Sequence, residues 1–306
     1  MPTVNEAYAE MILECRANGR RAETLSFYER HLKPFLLEAG NKEVASITRG
    51  DMRRYIAQMR ERLVLYPSGK NRPTISGRLS EETINAHIRA LSRLWKFISS
   101  EYDLESPMRG IQQKRVDHKP KSINTDDFLA ILKACDGSTN LAEAYRNKAL
   151  LLLLADTGLR RSALTTITLE SLDLIQRRVI VTEKGGRLHT AFFSHYTASM
   201  LRQWLDYRES LHPELFVSPR TGKPLQPSGI NQILRRLKED AQVRGHANPH
   251  SFRHGFAIRF IQQGGDIGVL QKLLGHSDIS VTAGYYLIFS EDELARLKDE
   301  IDVLKL

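Results

Sequence analysis

The chain has 306 residues, of which 41% are hydrophobic and 26% are charged. This composition is typical of a globular protein with one large or two ordinary domains, and it excludes a fibrous or disordered chain. Lysine and arginine outnumber aspartate and glutamate by 45 to 36, a net charge of +9 that suits a polyanion such as nucleic acid but does not require one.

Three further features bear on the compartment. Cys15 and Cys135 are far apart and form no metal-ligand spacing, which favours a reducing, cytoplasmic location. The N-terminus is acidic and lacks the hydrophobic core of a signal peptide. The longest apolar run, 149–155, is too short to cross a bilayer, so it predicts a buried helix and no membrane partner.

Residues 1–110 have the pattern of helices only. Apolar residues recur at helical spacing in four segments, which are 4–17, 22–39, 48–65 and 80–102. Ser80 is the predicted N-cap of the fourth helix. A basic stretch rich in Pro, Gly and Ser, 66–78, predicts a loop, and residues 111–122 predict an interdomain linker.

The second segment mixes helices with a few strands. The helical pattern covers 125–136, 141–158, 194–209, 227–242, 249–265, 266–275 and 290–306. Two β-rich runs, 178–182 and 188–193, bracket the letters EKGG and predict a hairpin with Lys184 in its turn. The fold class predicted is therefore an all-α N-terminal bundle followed by a mainly helical α+β domain with a small antiparallel sheet.

Several side chains could bind an anion, although each has an ordinary structural interpretation. In TGLRRSAL, Arg160 follows a helix-ending glycine at the start of a new helix, which suits an anionic oxygen but is also compatible with a surface arginine. Lys184 could be a solvated turn lysine, and His276 could be a helix cap. Tyr285 lies nine residues after His276 and could simply fill the edge of a core.

The letters PHSFRH place His250 and Arg253 on one helix face. His250 and His254 share the spacing of two zinc-protease ligands, but Ser251 stands where that motif needs glutamate, so we expect no metal. A guanidinium beside an imidazole instead suits a phosphate. Together these residues could supply the charges, the nucleophile and the proton that phosphoryl transfer needs, without a metal or another cofactor.

In chain order, TGLRRSAL, EKGGR, PHSFRHGFA and LLGHSDISVTAGYY resemble the catalytic boxes of the tyrosine recombinases of the phage-integrase family, the Xer-like enzymes in particular. The likeness covers most of residues 119–290 and is looser over 1–110. It implies that Arg160 and Arg253 clamp the scissile phosphate while His250 assists proton transfer. Ala163 stands where many members have glutamate, so any support from that carboxylate must be absent or come from elsewhere.

The resemblance also implies the roles of three further residues. Lys184 would protonate the leaving 5′-oxygen, and His276 would hydrogen-bond a phosphate oxygen. Tyr285 would attack and form a 3′-phosphotyrosyl link, since the nucleophile of this family lies nine residues after the histidine of the LGH box. Tyr286 would then point about 100° away on a helix and pack or contact DNA.

The family's architecture implies a core-binding, SAM-like DNA-binding domain at 1–110, the linker at 111–122 and the catalytic domain at 123–306. The expected partner is double-stranded DNA with paired inverted half-sites, bound by a homotetramer in the synaptic complex. Two alternatives stay open: a type IB topoisomerase, which would relax DNA without recombinant junctions, and a DNA-binding relative that has lost catalysis. The intact set of six residues argues against the second alternative.

Overall fold

The computed structural model describes residues 1–62, 64–65, 75–116, 121–183 and 186–275. Contacts divide the chain into two compact units, Met1–His118 and Lys119–Leu306. Most of the predicted loop at 66–78 lies outside the described residues, as does the predicted helix at 290–306.

The described part of the N-terminal unit is dominated by four helices. They are α1 (Val4–Ala17), α2 (Ala22–Ala39), α3 (Arg49–Glu61) and α4 (Glu81–Tyr102). Thr3 and Thr48 close capping boxes at the starts of α1 and α3. Ser80 caps α4 as predicted, since its side chain accepts a hydrogen bond from the Thr83 amide.

The core of this unit forms on the apolar face of α4. Leu91, Leu94, Trp95 and Ile98 are buried there and pack with Met11 of α1 and other apolar residues of α2 and α3. They recur at the helical spacing that the sequence shows, so the apolar stripe determines which face of α4 turns inward. Two hydrogen bonds hold the first part of the segment after α4 against that helix. The side-chain amide of Asn85 donates to the carbonyl oxygen of Lys114 and accepts from the backbone amide of Lys114.

The prediction of helices alone over this unit is wrong in one place. The third helix ends at Glu61 instead of continuing to 65, and β1 (Val64–Leu65) pairs with β2 (Ile75–Ser76) in an antiparallel ladder. The backbone of Arg62 is already extended, with ψ of 119°. The β-branched Val64 and Ile75 suit a strand. Val64 pairs with Ser76 and Leu65 with Ile75, and pairing between residues this far apart in sequence cannot be read from the helical periodicity.

The C-terminal unit contains seven described α-helices. They are α5 (Thr125–Ala134), α6 (Leu141–Thr157), α7 (Arg161–Leu164), α8 (His195–Asp206), α9 (Pro227–Asp240), α10 (Pro249–Gln262) and α11 (Ile267–Leu274). Helix α6 packs against α8 and α10. Leucines 150 to 154 of α6 are all buried, so this stretch of the helix is apolar around its whole circumference and lies in the core of the unit. No helix in the described ranges is both long enough and apolar enough to span a membrane.

A three-stranded antiparallel sheet lies beside these helices. Its strands are β3 (Leu172–Asp173), β4 (Arg178–Thr182) and β5 (Leu188–Phe192), in that order. The predicted hairpin is confirmed by the pairing of β4 with β5, in which Val179 lies opposite Ala191 and Val181 opposite His189. These four residues face inward. Strand β3 was not predicted, because two residues are too few to show a period.

Candidate active site

The site is organised around the glycine that ends α6. Gly158 has φ of 61°, and a Cβ atom at this position would lie 2.8 Å from side-chain atoms of both Leu274 and Phe256. Both the left-handed backbone and the close packing therefore require glycine. Arg160, two residues later, is the N-cap residue of α7. Its side chain therefore lies directly after the junction between α6 and α7.

Arg253 reaches the same junction from α10. Its guanidinium is buried and donates to two backbone carbonyl oxygens, with Nη1 2.8 Å from O of Gly158 and Nη2 2.7 Å from O of Leu274. The side chain therefore joins the end of α6 to the end of α11. A charged donor to an uncharged acceptor forms a strong hydrogen bond, so this arginine fixes the backbone on both sides of it.

His250 lies in the first turn of α10, one turn before Arg253. Asn248 caps the helix, and its side-chain oxygen accepts a hydrogen bond from the His250 amide at 3.0 Å. Burial first, and then the positive charge of Arg253 and two further arginines, lower the pKa of the half-buried His250 imidazole. The imidazole is therefore neutral at pH 7 and able to accept a proton. The structure brings His250, Arg253 and Arg160 to one region of the unit.

The other three predicted residues lie outside the described residues. They are Lys184, His276 and Tyr285. Their described neighbours are well fixed. The amide of Glu183 donates to O of Arg187 at 2.8 Å and closes the hairpin turn, while Gly275 ends α11 in the left-handed conformation with φ of 64°.

Two residues that the sequence analysis missed also belong to this region. Glu183 is buried, and its carboxylate forms an ion pair with the Arg160 guanidinium. His189 on β5 lies with its Nε2 2.9 Å from O of Leu273. A Cβ atom on Gly275 would lie 3.3 Å from Nδ1 of the same ring, so the imidazole packs closely on the end of α11.

A signal for both residues was present in the sequence. Side chains alternate along a strand, so a hairpin that buries Val179 and Val181 also turns Glu183 inward. His189 lies opposite Val181 and shares this face. A carboxylate on the inward face needs a cationic partner. The pattern therefore indicated that Glu183 would be paired, although it could not indicate which cation would lie there.

Metal binding was not expected from the sequence. In the ranges that the structure describes, no group of three His, Cys, Asp or Glu side chains is arranged to hold a metal ion. Because the described ranges omit His276 and several acidic residues near the C-terminus, the expected independence from metal remains a prediction.

The profile of the phage integrase family matches residues 121–291, more than half of the chain. The chain belongs to the phage integrase family. The predicted tyrosine recombinase is thus confirmed, and its activity is site-specific DNA recombination. Neither topoisomerase-like relaxation nor a purely binding role is favoured by the tyrosine recombinases that this integrase-family chain resembles in sequence.

Three relatives illustrate the similarity of this integrase-family chain to known proteins. Tyrosine recombinase XerC of Alcanivorax borkumensis is 30% identical over 292 residues, which cover 93% of this chain and 89% of the relative. The integrase of the Tn1549 transposon, solved with transposon right end DNA, is 21% identical with a TM-score of 0.73 and coverage of 97% and 98%. XerH recombinase, solved with its palindromic difH substrate after cleavage, is 18% identical with a TM-score of 0.69 and coverage of 97% and 85%. The two structures share the mostly helical fold.

Proposed function

We propose that this recombinase cuts each DNA strand with Tyr285. The tyrosine oxygen attacks the scissile phosphorus, the bond from phosphorus to the 5′-oxygen breaks, and a 3′-phosphotyrosyl link and a free 5′-hydroxyl remain. A 5′-hydroxyl from the partner site then attacks this link and releases the tyrosine. Because the link stores the energy of the phosphodiester bond, no nucleotide cofactor is needed.

Arg160 and Arg253 are proposed to hold the scissile phosphate. The observation that carries this proposal is the contact of Arg253 with O of Gly158, two residues before Arg160, because it brings two guanidinium-bearing segments from distant parts of the chain to one junction. Charge increases on the phosphate oxygens as the phosphorus is attacked. Preorganised guanidinium groups stabilise that charge and can take the place of a metal ion.

The proton transfers are assigned to the remaining residues. The lowered pKa of His250, which follows from burial and the neighbouring arginines, leaves the imidazole free to accept the proton of the attacking tyrosine. Lys184 donates a proton to the departing 5′-oxygen, and His276 donates a hydrogen bond to a phosphate oxygen. One proton is taken up and one is released, so the step is balanced without a metal or another cofactor.

The domains and partners belong to the same proposal. Residues 1–110 act as a core-binding domain and 123–306 as the catalytic domain, joined by 111–122, and the division of the chain after His118 supports this assignment. The palindromic substrate of XerH supports a DNA site with paired inverted half-sites. A homotetramer on two such sites, in the cytoplasm, completes the proposal.

The nucleophile can be tested with a suicide DNA substrate in the presence of EDTA. Tyr285→Phe removes one hydroxyl group, so it should abolish the covalent protein–DNA complex on a denaturing gel and leave DNA affinity nearly unchanged. Tyr286→Phe is the matched control and should retain the complex. The opposite pattern would move the nucleophile to Tyr286, and a requirement of the wild-type protein for added metal would contradict the cation-based mechanism.

A further inference from the structure

Glu183 is a carboxylate in an unusual position for a hairpin turn. It directly follows β4 and precedes Lys184, yet its side chain is only 6% exposed, whereas that of its partner Arg160 is 33% exposed. The backbone of Glu183 is held from both sides. Its amide donates to O of Arg187, and its carbonyl oxygen accepts from the amide of Gly186 at 3.1 Å.

The burial of this carboxylate needs compensation. A carboxylate out of water is unfavourable unless a cation and hydrogen-bond donors surround it. Nη1 of Arg160 is bonded to Oε2 of Glu183. The other oxygen, Oε1, has no hydrogen-bond partner among the residues that the structure describes. The pair therefore depends on one contact between the hairpin and the N-cap residue of α7.

Arg160 lacks the carboxylate that many family members provide three residues later. Ala163 occupies that position and is buried in the apolar core of the unit. A guanidinium carries five N–H donors in a planar fork. With Nη1 turned to Glu183, the donors on Nε and Nη2 keep a fixed direction and are not bonded to that carboxylate. A long, flexible side chain is thereby oriented by a buried anchor.

We propose that Glu183 is a positioning residue for the recombination reaction. It holds the Arg160 guanidinium in the direction in which its remaining donors meet the scissile phosphate, and it supplies the carboxylate that is missing at position 163. This inference rests on the proposed function of Arg160 as a phosphate ligand. In this proposal Glu183 acts only through Arg160.

The test uses single-turnover cleavage of a suicide substrate by the full chain. Glu183→Gln keeps the shape and removes the charge, and Glu183→Ala removes the anchor altogether. We expect cleavage to slow by about 10- to 100-fold, since a misplacement of a catalytic group by about 1 Å can cost 10²-fold. DNA affinity should change by less than about threefold, because the cations that bind the backbone of the duplex are unchanged.

A double-mutant cycle separates positioning from a general structural role. In an Arg160→Ala background, Glu183→Gln should cause no further loss of cleavage, because the residue through which Glu183 acts is gone. The same second change should raise Tm above that of Arg160→Ala alone, since it removes a buried carboxylate that has lost its partner. The proposal would be overturned if the double variant cleaved more slowly than Arg160→Ala by the factor that Glu183→Gln causes alone. It would also be overturned if the double variant had a lower Tm than Arg160→Ala.

A matched control is available in the same unit. Glu143 also forms ion pairs with arginine, at 2.5 Å from Arg236 and 3.3 Å from Arg146. Glu143→Gln should lower Tm and leave the cleavage rate of the folded protein unchanged. If Glu183→Gln behaves like this control while the wild-type protein cleaves, the positioning role is wrong. If the wild-type protein forms no covalent complex, the proposed function fails instead.

Discussion

Arg253→Ala is expected to damage stability as well as catalysis. The guanidinium is proposed to hold the scissile phosphate, but in the free protein it already donates to the carbonyl oxygens of Gly158 and Leu274. Alanine removes both donors and leaves two carbonyl groups in a buried region. A defect in cleavage by this variant would therefore combine a lost phosphate ligand with a loosened junction between α6 and α11.

The size of the loss can be worked from these contacts. A hydrogen bond to a charged group contributes about 1.5–3 kcal/mol to stability, so two of them at the lower limit contribute about 3 kcal/mol. The lower limit applies because alanine also removes a buried charge, which offsets part of the lost hydrogen-bond energy. For a unit of this size, each kcal/mol shifts Tm by about 2–4 °C, which predicts a fall of roughly 6–12 °C. Loss of one preorganised donor to the transition state slows cleavage by about 10²–10³.

Arg259 provides the matched control on the same helix. It is half-buried and donates one long hydrogen bond, at 3.4 Å, to O of Ala155. Arg259→Ala should lower Tm by only about 2–4 °C, and its cleavage rate should equal that of the wild-type protein once the folded fraction is taken into account. The assays are thermal unfolding of the free protein and single-turnover cleavage at a temperature at which all variants are folded. A Tm of Arg253→Ala equal to that of Arg259→Ala would refute the structural role assigned to the two carbonyl contacts.

Two further predictions concern pH and assembly. Burial, followed by the charge of His87 and nearby arginines, lowers the pKa of His31 from 6.5 to about 4. The unfolded chain therefore binds more protons than the folded one between about pH 4 and 6.5, so Tm should fall as pH drops through this window. His31→Phe should flatten that dependence, and an unchanged slope would contradict it. Truncation after Ser290 removes a narrow apolar stripe of the predicted last helix, and it should spare folding and single-site binding while impairing the synaptic tetramer on native gels. If Tm falls and synapsis survives, the segment packs on its own subunit.

Local sequence patterns predicted most of the elements that the structure describes. The serine cap at Ser80 and the glycine stop at Gly158 depend only on neighbouring residues, and the structure has both. The hairpin of β4 and β5 follows from alternation on either side of a glycine turn. The two-residue strands were missed because their ladders are set by distant partners, as in the pairing of Leu172 with Val179.

The sequence motifs could nominate candidate residues for the site, but they could not predict the contacts between them. The motifs pointed to Arg160 and Arg253, yet nothing in them indicates that one pairs with a buried carboxylate and the other with two backbone carbonyls. These contacts join residues that lie far apart in sequence, including Arg253 and Gly158. One local feature did indicate a contact. The alternation of inward-facing side chains along β4 turns Glu183 inward, and a buried carboxylate needs a cationic partner.

The two arginines differ in what surrounds them, and this difference has a consequence for the phosphate. The carboxylate of Glu183 largely neutralises the charge of Arg160, so the ion pair contributes little net electrostatic attraction. Two of the contacts of Arg253 are to backbone carbonyl dipoles, which orient the guanidinium. After burial, the charge of Arg253 is the next cause of the lowered pKa of His250, followed by the charges of Arg161 and Arg160. In the proposed mechanism, Arg160 therefore contributes chiefly through the direction of its donors. For the same reason, substitution of lysine should be tolerated less well at Arg160 than its charge alone would suggest, because an ammonium group has no planar fork to share between a carboxylate and a phosphate.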